Sequence, residues 1–147
     1  MLSGQKPTIS RNFILRHLQG TDKFTKEEAE EGLQRLNYDF KINLRNLIEK
    51  NYTTGNYYNG MLSKKSIIIS IARTQEMKES ESYIIREVLE EYDINYTERA
   101  KLRAIDTLKN IKYSRSDLIK SLVDGWGFTK EEATNAVKDL KHENLID

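Results

Sequence analysis

The side chains that could do chemistry are few, and their spacing matches neither a catalytic nor a metal-binding pattern. The two histidines, His17 and His142, lie near opposite ends of the sequence, and neither has a Cys, His or carboxylate at metal-ligand spacing. The sequence contains no Cys, which excludes disulfides and thiolate metal sites. It also contains neither a glycine-rich phosphate loop nor a nucleophile elbow. We therefore predict a protein that is not an enzyme, with no cofactor and no bound metal.

Side chains suited to binding another protein cluster in one segment. Tyr52, Tyr57 and Tyr58 lie in a stretch rich in Gly and Asn, and Lys64 and Lys65 follow closely. Gly-Asn and Asn-Gly pairs are turn signals, so this stretch is the clearest predicted loop. Tyrosines on a rigid scaffold are favoured at protein interfaces. We predict that these five residues line a partner-binding face, with inward packing of the tyrosines on neighbouring helices as the alternative.

The single Trp is the other candidate for contact with a partner. Trp126 lies in the sequence Asp124-Gly125-Trp126-Gly127, which is typical of a turn. A Trp in a turn either covers the local core as a lid or stands exposed as an anchor for a partner. We expect the lid, and we keep Trp126 as a candidate contact residue because Trp is enriched at binding hot spots.

DNA binding is the alternative function, and its candidate residues are Arg11, Lys64, Lys65 and Arg115. These residues lie on segments that we predict to be the first helices of helix-turn-helix-like units. The second helices, which would enter the major groove in that motif, begin with Glu-Glu pairs. Glutamates beside a phosphate backbone oppose binding, and the net charge of +1 provides no compensating field. We therefore expect a protein partner rather than nucleic acid.

One short phrase that occurs twice predicts how these residues are positioned. The segments Phe24–Ala29 and Phe128–Ala133 share the sequence Phe-Thr-Lys-Glu-Glu-Ala. In each copy the Thr is the expected helix N-cap, and the second Glu is placed to complete a capping box. The Phe before the Thr can pack on the Ala as a hydrophobic staple. Each phrase therefore predicts the start of a helix, after Thr25 and after Thr129.

The repeat extends upstream of this phrase and occurs a third time in the middle of the chain. Each copy begins with a Ser at the expected start of a helix, at positions 10, 63 and 114, which are 53 and 51 residues apart. Such spacing is typical of one supersecondary unit that is copied and stacked. The middle copy differs most, because Met77–Ser82 replaces the capping phrase. Its Ile67–Ile69 run favours strands in isolation, but we predict helix because the two sister copies are helical.

We predict an all-α array of three helix-turn-helix-like units with connecting helices. The three segments are 1–61, which includes the Tyr-rich loop, 62–112 and 113–147. Only 37% of the residues are hydrophobic and 32% are charged, which suits helices with narrow apolar stripes. On one connecting helix we expect Ala100, Ala104, Leu108 and Ile111 to face inward. The predicted helices are Ser10–Gln19, Thr25–Leu36, Asn37–Asn51, one that starts at Ser63, one that contains Tyr83–Leu89, Thr97–Ile111, Ser114–Val123 and Thr129–His142.

Charge alternates along the chain with the period of the predicted units. Residues 41–75 carry six basic side chains against one acidic, and residues 76–100 carry three basic against eight acidic. Residues 1–40 and 101–147 show the same order, basic before acidic. We expect opposite charges to pair between packed helices or to be solvated, with electrostatic selection of a partner as the alternative.

The C-terminal repeat also follows the pattern of a known family. The matching residues are Ala100, Ala104, Ser114, Leu122, Gly127, Phe128, Thr129, Glu131, Glu132, Ala133, Ala136, Val137 and Leu140. This pattern resembles the repeat of host cell surface-exposed lipoproteins, the Ltp family, best over 100–140, less over 9–36 and least over 62–89. The resemblance implies a helix-turn-helix-like fold. For phage members it also implies superinfection exclusion, in which the lipoprotein binds an incoming phage component, reported to be the tape measure protein, and blocks DNA entry.

The chain departs from the family in three respects. It has no lipoprotein signal and no lipid-attachment Cys, and it carries three copies of the unit where the familiar phage member has two. No apolar run approaches the ~20 residues of a membrane span. We expect a cytoplasmic protein, or a cell-surface lipoprotein if a signal and a lipid-attachment Cys precede this sequence.

Together these features predict a non-catalytic protein-binding module of phage or mobile-element origin. We expect it to act as an inhibitor or exclusion factor on a phage or host protein. The two forms of this expectation are superinfection exclusion and inhibition of a bacterial defence nuclease.

Overall fold

A computed structural model of the chain describes residues 25–53 and 59–147. The predictions that lie outside these residues are the helix Ser10–Gln19, the staple contact of Phe24, and the positions of Arg11, His17, Tyr57 and Tyr58.

The described chain is built from α-helices. They are α1 (Lys26–Asn51), α2 (Lys64–Thr74), α3 (Tyr83–Leu89), α4 (Tyr96–Leu108), α5 (Arg115–Lys120) and α6 (Lys130–Lys138). Short 3₁₀ turns lie at Asn59–Met61 and Glu79–Glu81, and a π-helical turn at Ser121–Gly125. The all-α fold class is confirmed, while the array of three helix-turn-helix-like units stays a prediction. Within these residues, no helix is both long enough and apolar enough to cross a membrane.

Two compact units divide the described chain. Unit 1 contains residues 25–51 and 68–92, and unit 2 contains residues 52–67, apart from 54–58, together with 93–147. Helix α2 contributes its first turn to unit 2 and the rest of its length to unit 1. The division into three repeat segments, drawn from the sequence, stays a prediction.

Helix α1 is continuous where the sequence predicts two helices. It starts after Thr25, whose Oγ1 accepts a hydrogen bond from Glu28 N at 3.1 Å, while the Glu28 carboxylate accepts one from Thr25 N at 3.0 Å. This capping box confirms the predicted start, and the bond from Thr25 N lowers the pKa of the Glu28 carboxyl group. The predicted break between Leu36 and Asn37 is wrong, because no Gly or Pro follows and the helix continues to Asn51.

The core of unit 1 forms between α1 and α3. Its buried side chains are Phe40, Leu44 and Ile48 of α1 and Ile84, Ile85, Val88 and Leu89 of α3. The three residues of α1 are spaced four apart, which places them on one face of a helix. They form an apolar stripe along the second half of α1.

Helix α2 contains the run of Ile that favours strands in isolation. Ile67, Ile68 and Ile71 are buried, whereas Ile69 is 46% exposed. This pattern follows the helical period rather than the two-residue period of a strand. The helix also begins at the predicted cap, because Ser63 Oγ accepts a hydrogen bond from Ser66 N at 3.0 Å. The prediction of a helix here is confirmed.

Charges of opposite sign meet within unit 1. Lys41 Nζ lies 3.3 Å from Glu87 Oε2, and the guanidinium of Arg45 donates two hydrogen bonds to the Glu91 carboxylate, at 2.7 and 2.9 Å. The hydrogen bonds from Arg45 lower the pKa of the Glu91 carboxyl group. These contacts join the basic band of residues 41–75 to the acidic band of 76–100, as expected for pairing between packed segments. Solvent-exposed pairs of this kind add little stability each.

The core of unit 2 is built on the Ala and Leu face of α4. Ala100, Ala104 and Leu108 are fully buried, and α4 packs against α6. The other members of this core are Leu118, Leu122, Phe128, Ala133, Ala136, Val137 and Leu140. Ile111 is 54% exposed, so its predicted inward position is wrong. The reason is that α4 ends at Leu108, and Ile111 lies beyond the helix.

The C-terminal residues fold back instead of extending α6. The helix ends at Lys138, so the predicted end at His142 is wrong. Tyr113 N donates a hydrogen bond to the carbonyl of Asn144 at 3.0 Å. The side-chain amide of Asn144 donates to the carbonyl of Leu108 at 2.6 Å. The bond from the Asn144 side chain satisfies a carbonyl at the end of α4, so the returning segment caps that helix.

Candidate functional site

The turn between α5 and α6 carries Trp126 and is fixed by its flanking residues. The chain leaves α5 through the π-helical turn Ser121–Gly125. Gly127 then adopts a φ of +80°, in the left-handed region that Gly enters without a steric penalty. Phe128 is buried in the core of unit 2, and its N–H donates to the carbonyl of Leu122 at 3.1 Å. The turn is therefore anchored immediately after Trp126.

Two serine hydroxyls bind the start of α2 to this turn. Ser63 Oγ donates to the carbonyl of Trp126 at 2.7 Å, and Ser66 Oγ donates to the same oxygen at 3.0 Å. Ser63 is 1% exposed, so the bond satisfies a buried hydroxyl as well as the carbonyl. The backbone of Trp126 is thereby held against α2.

The indole ring of Trp126 stacks on a buried guanidinium. Arg103 of α4 is 3% exposed, and its Cζ lies 3.8 Å from the centroid of the ring. Trp126 itself is 38% exposed. The choice between a lid over the core and an anchor for a partner stays a prediction. The ring is partly exposed and rests on the buried guanidinium.

Lys65, in the first turn of α2, lies beside Gly127, the residue that follows Trp126. A Cβ built on Gly127 would lie 3.3 Å from both Cβ and Cδ of Lys65, so the lysine stem runs over the glycine next to Trp126. Lys65 is exposed, whereas Lys64 is half-buried. Among the predicted contact residues, the structure brings Lys64, Lys65 and Trp126 together. We call Lys65, Arg103, Trp126 and Gly127 the Trp126 face.

Tyr52 does not line an exposed surface. It is 8% exposed, so its assignment to a partner-binding face is wrong, and the alternative of inward packing holds for this residue. Its carbonyl accepts a hydrogen bond from the guanidinium of Arg99, which also donates to the carbonyl of Asn59 at 2.7 Å. Burial lowers the pKa of Arg99. A buried cation on α4 thus ties together the two ends of the segment that contains the predicted loop.

Arg115, a candidate for phosphate contact, is used inside unit 2. Its guanidinium donates to the carbonyls of Val137 and Leu140, the latter at 3.2 Å, and so caps the C-terminal end of α6. A guanidinium that satisfies helix carbonyls is not available to a phosphate. The prediction of a nucleic-acid role for Arg115 is therefore corrected, and Lys64 and Lys65 are the described residues that remain from that set.

Sequence reasoning missed Arg99 and Arg103, which do the most to position the site. A signal for them exists, because the two arginines are spaced four apart and each precedes one of the inward-facing alanines Ala100 and Ala104. On a helix they therefore lie along one edge of the apolar stripe. Charged side chains at such an edge are rarely buried unless they have partners.

The arrangement has groups that suit binding. In the parts of the chain that the structure describes, no three His, Cys, Asp or Glu side chains converge as metal ligands. The Trp126 face offers one planar apolar ring and one exposed ammonium group. Such groups suit contact with another macromolecule.

Comparisons with protein-family profiles, with curated proteins and with solved structures gave no match to this chain.

Proposed function

We propose that the chain is a non-catalytic helical module that binds another protein through the Trp126 face. One observation carries this proposal. The exposed Trp126 ring is stacked on the buried guanidinium of Arg103, and its backbone is held by Ser63 and Ser66. A side chain restrained in this way loses little conformational entropy on binding. Trp and Arg are also the residue types most enriched at binding hot spots.

The inhibitory part of the proposal rests on the resemblance of residues 100–140 to the Ltp repeat. Most of the Trp126 face lies in that segment. We propose a phage or mobile-element origin, and a target that is a phage protein or a host protein such as a defence nuclease. Occupying the target is sufficient for exclusion or inhibition, so no catalytic group is required.

Affinity capture with the full chain tests the proposal. The bait is exposed to bacterial lysates prepared before and after phage infection, and retained proteins are identified by mass spectrometry. We expect Trp126→Leu to reduce the retained amount of the target at least about tenfold, as for a hot-spot side chain. Circular dichroism establishes that each variant is folded. A folded Trp126→Leu variant that retains the same protein as fully as the wild type contradicts the proposal.

The matched control for this capture is Lys141→Glu. Lys141 is an exposed charge beyond the C-terminal end of α6, whereas Trp126 precedes the N-terminal end of that helix. The nine residues of α6 separate the two positions by roughly 13 Å along the helix axis. We expect this variant to capture the target as well as the wild type does.

Duplex DNA is the competing ligand, and a gel-shift titration separates it from a protein partner. We expect no measurable binding to random or genomic duplexes at ~150 mM salt. Tight binding that weakens steeply with salt, and that is lost when Lys64→Glu and Lys65→Glu are combined, would replace the proposed function with nucleic-acid binding.

A further inference from the structure

We infer that the Trp126 face binds an acidic protein segment in which carboxylates flank an aliphatic side chain. This inference rests on the proposed function and adds the chemistry of the partner to it.

The first observation is the charge at the start of α2. Lys64 and Lys65 occupy its first turn, where the aligned backbone dipoles place partial positive charge and favour acidic side chains. The helices α1, α4, α5 and α6 follow that rule, since each has an acidic residue in its first turn. Helices α2 and α3 have none there, and α2 carries two lysines instead. The exposed Lys65 at this position opposes the stability of the helix, and an anionic partner would relieve the repulsion.

The second observation is that Lys65 lacks the kind of partner that the basic side chains of unit 1 have. Lys41 and Arg45 pair with Glu87 and Glu91 within unit 1. Among the described residues, no carboxylate forms an ion pair with the ammonium group of Lys65. The exposed cation of the Trp126 face is therefore available to a carboxylate from another molecule.

The third observation is that the indole N–H of Trp126 has no acceptor among the described residues. Its carbonyl is bound by Ser63 and Ser66 and its ring stacks on Arg103, but no described residue accepts a hydrogen bond from its Nε1–H. An indole N–H is a donor only, and a carboxylate is an acceptor only. The exposed part of the ring offers an apolar surface to an aliphatic side chain. The face therefore offers the indole N–H and the Lys65 ammonium to carboxylates, and the Trp126 ring to an aliphatic side chain. These groups together fit a segment in which carboxylates lie on either side of an aliphatic residue.

A phosphate backbone fits the same face poorly. Nucleic-acid affinity comes from neutralising a row of phosphates, which takes several exposed cations. The guanidinium of Arg115 is used to cap α6, and Arg103 is buried beneath the ring. In the same unit, Asp124 is exposed two residues before Trp126, and Glu131 is exposed in the first turn of α6. One exposed lysine suits a short carboxylate segment better than a polyphosphate chain, which takes several exposed cations.

The test uses the full chain and the fluorescence of its only Trp, which reports directly on the site. The probes are an acidic peptide of about twelve Asp and Glu residues with two central leucines, its counterpart with Lys in place of the acids, and single-stranded oligothymidylate. We expect the acidic peptide alone to shift the Trp126 emission and to protect it from acrylamide quenching. We expect Lys65→Glu to weaken that binding about tenfold or more, whereas Lys65→Arg and Lys141→Glu leave it nearly unchanged.

The outcomes separate this inference from the proposed function. Absence of acidic-peptide binding at millimolar concentration, or equal binding of the acidic and basic peptides, overturns the inference. In that case the capture experiment with Trp126→Leu still decides the proposed function. Binding of oligothymidylate in preference to the acidic peptide overturns both.

Discussion

The guanidinium carbon of Arg103 lies 3.8 Å from the centroid of the Trp126 indole ring. Arg103 is buried, whereas Trp126 is partly exposed. A cation over the face of an indole is attracted by the negative charge density of the ring, and burial strengthens the attraction. The carboxylate of Asp106, 4.0 Å from Arg103, adds a second partner for the guanidinium. The pair therefore couples an exposed contact residue to the buried side of α4.

A double-mutant cycle measures this coupling. We expect Arg103→Met and Trp126→Leu each to destabilise the fold, and the double variant to lose about 1 kcal/mol less than the sum of the two. Urea unfolding followed by circular dichroism measures the free energies. Lys101→Met is the control, because Lys101 lies on the opposite face of α4 from Arg103 and should combine additively with Trp126→Leu. Additivity of the Arg103 and Trp126 variants within ~0.3 kcal/mol contradicts the coupling.

Two turns in the described chain each contain a residue with a positive φ angle. Glu76 and Gly127 both adopt positive φ angles, of 52° and 80°. The residue that follows each, Met77 or Phe128, donates its N–H to a carbonyl of the preceding helical turn, at 2.8 and 3.1 Å. The Met77 N–H reaches back five residues, to Ala72, and the Phe128 N–H six residues, to Leu122. At Glu76 the left-handed position carries a Cβ, where L-residues are strained.

Substitution of Glu76 should reveal this strain. We expect Glu76→Gly to be more stable than Glu76→Ala by about 0.5–1 kcal/mol, because Gly adopts a positive φ without the steric cost of a Cβ. Ala is the matched control, since both variants remove the Glu side chain and its contacts. Thermal and urea unfolding measure the difference. Equal stability of the two variants means that the turn is not strained at this position.

The reverse substitution at Gly127 should destabilise the protein. An added Cβ would lie 3.1 Å from Ser63 Oγ and 3.3 Å from the Lys65 stem, in addition to the strain of the positive φ. We expect Gly127→Ala to lose about 1–3 kcal/mol of unfolding free energy. A Gly127→Ala variant with the same free energy of unfolding as the wild type would contradict the close packing of the first turn of α2 on this turn.

Lys78 and Thr129 hold the same position in two copies of the repeat. Their backbone angles nearly coincide, with φ −73° and ψ 152° for Lys78 and φ −71° and ψ 157° for Thr129. In both copies the Glu three residues later, Glu81 or Glu132, accepts a hydrogen bond from the N–H of the cap residue, at 3.2 and 2.9 Å. Only the Thr129 hydroxyl adds the reciprocal bond, from Glu132 N at 3.0 Å. The middle copy therefore keeps half of a capping box that the sequence predicts to be absent.

Completing this capping box should stabilise the middle copy. We expect Lys78→Thr to gain about 1 kcal/mol over Lys78→Val, which has the same shape without the hydroxyl. Thr25→Ala and Thr129→Ala should each lose about 1 kcal/mol, since each removes a hydroxyl that caps a helix. Chemical denaturation measures all four variants. No difference between Thr and Val at position 78 would show that the matching backbone angles do not suffice for capping.

The helix starts could be predicted from the sequence because caps are local. Thr25, Ser114 and Thr129 each accept a hydrogen bond from the N–H three residues ahead, so residue type and spacing determine the start. The helix ends depend on distant residues. Helix α4 stops before Ile111 because Asn144, from the far end of the chain, binds its last carbonyl. No window of sequence around α4 contains that information.

The candidate site could also be predicted only in part, because residue type can be read from the sequence whereas contacts with distant residues cannot. Residue type alone selects Trp126 and Lys65, since exposed-anchor chemistry is visible in the sequence. It selects Tyr52 equally well, although that residue is buried. The sequence shows what a side chain can do, whereas burial depends on partners such as Arg99, which binds the Tyr52 carbonyl from 47 positions away. The use of Arg115 as a helix cap likewise depends on a fold that brings it to the end of α6.

Tyr92 makes the stability of unit 1 depend on pH. Its phenol donates a hydrogen bond to Glu49 Oε1 at 3.0 Å and lies 3.2 Å from the carbonyl oxygen of Arg45. Burial, followed by the Glu49 carboxylate, raises the pKa of Tyr92 to about 12. The unfolded chain has a Tyr pKa of about 10, so folding favours the neutral phenol. The stability that this group contributes is therefore present below pH ~10 and is lost as the pH rises through ~12.

Tyr92→Phe should therefore reduce stability only while the phenol is protonated. We expect the variant to be about 1 kcal/mol less stable than the wild type below pH ~10, a value limited by solvent screening of a surface group. The deficit should shrink between pH ~10 and ~12, because the wild type must then either hold its proton or place a phenolate beside Glu49. Urea unfolding across this range measures the difference, with Tyr83→Phe, at an exposed Tyr, as a control that stays near zero throughout. A Tyr92→Phe deficit that stays constant up to pH ~12 would contradict the raised pKa, because titration of the phenol would then be the same in the folded and unfolded chain.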